Sequence, residues 1–160
     1  MSFKNAIEHE FQTKLLGSAE LILGIKRVHE PRTITLTQSH YIDSLLGSYG
    51  MTNCKPTATP LIPNSHLEAV TRTAQEEFLS LRVNYQSAVG SLSYLSNATR
   101  PDLSYSISAL SQFLENPGIL HWKALLHFLK YLKGANDVGS MYERNVKKPP
   151  VAYSDAQTVE

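Results

Sequence analysis

Four aspartates stand in this chain, Asp43, Asp102, Asp137 and Asp155, and no two are neighbours. Phosphoryl transfer by two metal ions needs several carboxylates around ions about 3.5–4 Å apart. No such cluster occurs along the sequence. Asp43 reads as a helix-surface residue, Asp102 as a first-turn residue and Asp137 as a turn residue. Asp155 is placed differently: Val151, Ala152 and Tyr153 read as the opening of a β-strand, and an acid at a strand end is a common place to hold a metal ion. One carboxylate does not make such a site.

The cations are more orderly. Residues 1–118 carry nine Lys or Arg against ten acids, whereas residues 119–150 carry six against two. Within "HWKALLHFLKYLKG", Lys123, His127 and Lys130 are spaced by four and three, so they share a helix face that Lys133 extends. Trp122, Leu125, Leu126, Leu129 and Leu132 fall on an apolar side. Two readings of the basic face stand side by side. One is a solvated helix surface. The other is a surface that tracks phosphates, where lysines on a rigid helix neutralise backbone charge and release counterions.

Other chemistry is poorly supported. His121 and His127 are six apart and do not share a helix face, which argues against a zinc pair. The single cysteine, Cys54, has only Lys55 beside it to activate it and lies in a proline-rich stretch; alone, it excludes an intrachain disulfide and a Cys-cluster metal site. Neither a Gly-rich phosphate loop nor a nucleophile elbow is present.

The elements that must carry these residues follow from pattern. The 160 residues, with 42% apolar, suffice for about one domain with a modest core. The net charge of +1 favours no class of partner. No apolar run approaches the roughly 20 residues of a membrane span and no signal peptide is evident, so an intracellular, reducing setting is expected and the Asn97-Ala98-Thr99 sequon is discounted. Ala19–Val28 reads as a strand, Thr33–Thr37 as its hairpin partner with Ile34 and Leu36 on one face. Ser39 is placed to cap a helix starting at His40, and Gly50 to stop it. Three prolines between Pro56 and Pro63 mark an extended linker, and a surface loop is expected to about Thr73. A helix is expected from about Ala74, with Leu81, Tyr85, Ala88, Leu92 and Leu95 on one stripe and Gly90 marking the close approach of another helix. Pro101 and Asp102 open a second helix with Leu103, Ile107, Leu110 and Leu114 buried and Phe113 beside them. A third runs from about Ile119 to Lys133. Residues 140–153 return to a strand-like pattern. The predicted class is α+β, with most of the core in the helices.

"LGSAELILGIKRV", "ITLTQSHYIDSLL", "GMTNCKPTATPL", "YQSAVGSLSYLSNATRPDLSYSISALSQFLENPGILHWKALLHFLKYLKG" and "VAYSDA" occur in that order. Together they resemble the C-terminal part of the reverse transcriptase region in copia-type LTR retrotransposon Pol polyproteins. The resemblance runs from about Phe11 to Ala156. It implies a palm-edge β-hairpin over residues 1–38, a thumb-like helix and Pro-rich linker over 39–73, a three-helix thumb and connection-like segment over 74–135, and a truncated start of a ribonuclease H-like domain over 136–160. Asp155 matches the first metal-binding aspartate of that domain, here as an orphan ligand. The paired aspartates of the polymerase centre and the remaining ribonuclease H acids have no match. The resemblance thus implies magnesium for the parent enzyme and no cofactor for this chain, which alone is expected to be inactive. Expected partners are the backbone of an RNA/DNA hybrid or DNA duplex, held by Lys123, Lys130, Lys133 and Arg100, and the rest of the Pol polyprotein; no membrane is expected. The alternatives are a retroelement relic without function and a helical protein-interaction module.

Overall fold

The computed structural model describes residues 7, 10, 11, 20–63 and 67–144. Its architecture is mixed α+β: within residues 20–144, the described residues form a four-stranded antiparallel sheet beside five α-helices. Asp155 and the strand expected at Val151–Tyr153 lie outside the described residues.

The expected strand over Ala19–Val28 is two strands, β1 (Leu21–Ile22) and β2 (Ile25–His29). Leu23 and Gly24 both take positive φ, 51° and 76°, and the pairs Leu21↔Lys26 and Ile22↔Ile25 close around them. Two consecutive positive-φ residues make a turn whose twist matches that of the flanking strands. Apolar composition concealed it, because Leu is an unusual occupant of that conformation. β3 (Thr33–Thr37) pairs with β2 as expected. β4 (Ser140–Glu143) then returns across the helical region to pair with β3, giving the order β1-β2-β3-β4. Residues 21–37 and 140–143 thus share one sheet. Gly139 has no room for a Cβ, which would strike the Leu36 carbonyl oxygen.

Ile25, Ile34, Leu36, Ser140 and Tyr142 share one face of the sheet by register, with Ile25, Ile34 and Leu36 half-buried. Val28, Thr33, Thr35, Thr37 and Met141 take the other.

Helix α1 (Ser39–Ser48) starts one residue earlier than expected. Gln38 occupies the capping position, and no side chain caps the helix, so Ser39 is its first residue and not its cap. The stop at Gly50 is as expected: φ is +65°, and Gly50 N–H and Met51 N–H donate to the carbonyls of Gly47 and Leu46, at 3.1 and 2.8 Å.

The long helix expected from Ala74 is two helices, α2 (Arg72–Ser80) and α3 (Tyr85–Ala98). Arg82 sits at φ +53° in the break, and Asn84 caps α3 by accepting Ser87 N–H at 2.9 Å. Leu81 consequently faces out, 43% exposed. Gly90 marks no helix–helix approach; it is exposed, and a Cβ there would meet nothing within 4 Å. A 3₁₀ turn (Pro101–Leu103) leads into α4 (Ser104–Ser111), which ends before Leu114. The last helix is α5 (Ile119–Gly134).

The core is helical. α1, α2 and α4 all pack on α5, and α3 packs on α4. Ile42, Leu92, Leu95, Leu110, Leu125, Phe128, Leu129 and Leu132 are fully buried, whereas Leu126 is only half-buried. Burying one such side chain contributes roughly 1.5–3 kcal/mol. Trp122 meets Tyr49 and Phe78 edgewise or tilted, at centroid distances of 5.9 and 6.3 Å. No residue of the sheet belongs to this buried cluster or to the half-buried residues packed against it.

Candidate nucleic-acid interface

Three neighbours fix α5, so its remaining side is a rigid display surface. Lys123 is exposed there; Lys130 and Lys133 are half-buried. Lys123 and Lys130 lie seven residues apart, roughly 10 Å along the axis. No described carboxylate is ion-paired with any of the three lysines.

The Pro-rich segment follows this side of α5. His127 Nε2 donates to the Thr59 carbonyl at 3.0 Å, and the Thr57 hydroxyl donates to the His127 carbonyl at 3.4 Å. Pro56 lies against Gly134, where an added Cβ would sit 3.0 Å from the proline Cβ. The linker is therefore docked, and His127 is spent on holding it. That docking carries the exposed Lys55 toward the C-terminal end of the lysine row. The sequence places Lys55 beside Cys54, and the signal for its docking is the close spacing of prolines, which makes a stiff segment suited to lying along a helix.

Arg100 is not on this surface. It is 1% exposed, and its guanidinium grips Asp102 with two bonds of 2.9 Å while Nη1 donates 2.8 Å to the Ala135 carbonyl. Its charge is answered internally, so the expected phosphate contact at this residue is replaced by a structural one. The sequence hinted at this: Asp102 two residues on, beyond a proline, lies within reach of a bidentate fork.

His121 is buried and acts as a structural clasp. Its Nδ1 accepts Gly118 N–H at 3.0 Å, so Nδ1 carries no proton, and Nε2–H donates to the Glu68 carbonyl at 3.0 Å. Its ring stacks on Phe113 with centroids 3.9 Å apart. Burial lowers its pKa below the ordinary 6.5, and the Glu68 bond opposes this only in part. Burial likewise raises the pKa of Tyr85, whose hydroxyl donates to the Leu110 carbonyl at 2.9 Å.

The described acids do not fit a magnesium pair. Asp102 is held by Arg100, and Asp43 accepts a bond from Asn136 at 2.9 Å. Among the described residues no group of three or more His, Cys, Asp or Glu converges to hold a metal ion. None of the described helices is long and apolar enough to cross a membrane.

The family described as "Reverse transcriptase (RNA-dependent DNA polymerase)" matches residues 1–63. The chain is 41% identical over 135 residues to the "Retrovirus-related Pol polyprotein from transposon TNT 1-94" of Nicotiana tabacum, covering 82% of this chain and 10% of that protein. It is 35% identical to the corresponding polyproteins from transposons RE2 and RE1 of Arabidopsis thaliana, over 95% and 94% of this chain and 10% of each relative. The chain therefore spans about a tenth of the length of these relatives. No solved structure matches it.

Proposed function

The chain belongs to the copia-type retrotransposon Pol polyproteins and is reverse transcriptase-like, and from that premise we propose that it serves as a backbone grip for an RNA/DNA hybrid or DNA duplex, without a polymerising or nucleolytic centre of its own. The observation that carries this reading is the lysine row of α5: three cations without an ion-pair partner among the described residues, on a helix packed by three others. Phosphate contacts of this kind fix position without reading sequence. The fit of the described acids is consistent with a grip alone, since Asp43 and Asp102 are engaged elsewhere. In the parent enzyme magnesium supplies the charge neutralisation for phosphoryl transfer; no step of that chemistry is assigned to residues here. The remainder of a Pol polyprotein is the natural partner for such a part.

The test is binding of a short RNA–DNA hybrid across a salt series. Wild-type affinity should fall steeply with salt, and replacing Lys123, Lys130 and Lys133 by Ala should flatten the logarithmic slope by roughly one unit per lysine. Equal slopes for the two proteins would refute the grip.

A helical protein-interaction module is favoured by a different observation, the exposed apolar side chains Leu21, Ile22 and Leu23 at the β1–β2 turn. Sedimentation as a clean monomer across concentration would count against it.

A further inference from the structure

We infer that Arg100 is the positioning residue of a polar joint that sets the angle between the sheet and the lysine-bearing helix α5.

The sheet is not held to the helices by the apolar core, to which it contributes no residue. The Tyr94 hydroxyl ties the β1–β2 turn to α3 by donating to the Leu23 carbonyl; the side-chain hydrogen bonds that tie the β3 and β4 ends to the helices converge on two adjacent residues. Thr99 donates its hydroxyl to Gln38 Oε1 at 2.8 Å, at the junction of β3 and α1, and its carbonyl accepts the Ser140 hydroxyl at 2.9 Å, at the start of β4. Arg100 reaches the Ala135 carbonyl just past α5, at the root of the link to β4. Gln38, Thr99 and Arg100 are all at most 1% exposed. This is a buried knot joining both strands that border the helices to the end of α5.

Arg100 is the member whose chemistry sets geometry. Its planar fork is fixed by Asp102, so Nη1 points in one direction only. That direction meets a carbonyl at a helix C-terminus, where the backbone dipole favours a cation. Four residues lie between Ala135 and Ser140, and the last of them, Gly139, is wedged on the Leu36 carbonyl. The link is thus anchored to β3 at one end and to Arg100 at the other. One further feature marks this as a joint with play: Gln38 Nε2 is buried without a hydrogen-bond partner. An incompletely satisfied polar interface resists rearrangement less than a fully paired one.

The test is amide exchange on the full chain, comparing wild type with Arg100→Lys. Lysine keeps the charge but cannot hold Asp102 and the Ala135 carbonyl in one plane. Amides of β3 and β4 should exchange at least ten-fold faster, while the protected amides of α3 and α5 and the emission of Trp122 stay unchanged. Ser140→Ala, a milder change, should act in the same direction on the sheet alone. Equal acceleration throughout the chain, or an unchanged sheet, overturns the inference. A second arm rests on the grip reading: Arg100→Lys should weaken hybrid binding without altering its salt slope. A slope reduced as by loss of a phosphate contact would make Arg100 a direct ligand and overturn its positioning role. Exchange is measured on the free chain, so failure of the grip leaves the first arm intact.

Discussion

At the scale of single residues, His121 links the core to pH. Its folded-state pKa lies below 6.5 through burial, so the unfolded chain takes up this proton more readily. Stability contributed by the neutral ring is complete above about pH 6.5 and declines as pH falls below it. Urea midpoints measured at pH 8 and pH 5.5 should differ by less in His121→Gln than in wild type. Lys55→Ala should lower the salt slope of hybrid binding, as a loss from the α5 row would, because the docked linker brings this residue to that row; an unchanged slope would place it outside the interface. That Lys123, Lys130 and Lys133 share one helix was legible from spacing alone, since a helical period is a local property. Arg100 was only half legible: Asp102, two residues on, hinted at an internal ion pair, but the second anchor is the Ala135 carbonyl, thirty-five residues away, which nothing in the local pattern announces.

At the scale of elements, helix α3 yields two predictions of opposite sign. Asn84→Ala removes the cap on Ser87 and should cost about 1 kcal/mol of stability. Gly90→Ala should instead add roughly 0.5–1 kcal/mol, because the site is helical, exposed and empty within 4 Å. Denaturant midpoints of the two variants check both; destabilisation by Gly90→Ala would restore the close approach that the sequence alone suggested. The amphipathic stripe Tyr85, Ala88, Leu92 and Leu95 was readable because all four are buried at helical spacing. The break before it was less readable. Leu81 continues the period, and only Arg82 in a left-handed conformation and Asn84 as a cap separate the helices. In the same way Leu23 extends an apolar strand pattern while the backbone turns beneath it. Periodicity reports which face is buried and is blind to a turn that keeps the spacing.

At the scale of the whole molecule, the helical core and the sheet are held by different forces, and the class α+β was recoverable because each obeys its own period. Which strand closes the sheet was not recoverable, since β4 pairs across the whole helical region. With Asp43 and Asp102 engaged, the chain should give no extended product with a primed template and magnesium; robust extension would overturn the grip-only reading. The pairing of β4 with β3 also has a consequence in time. Thr37 and Ser140 are about a hundred residues apart, so on a ribosome adding about 5–20 residues per second the third strand waits roughly 5–20 s for its neighbour. Throughout that delay its outer edge is a free template for any passing strand, and a nascent chain arrested before Ser140 should be captured by an added β-strand peptide that the released protein ignores.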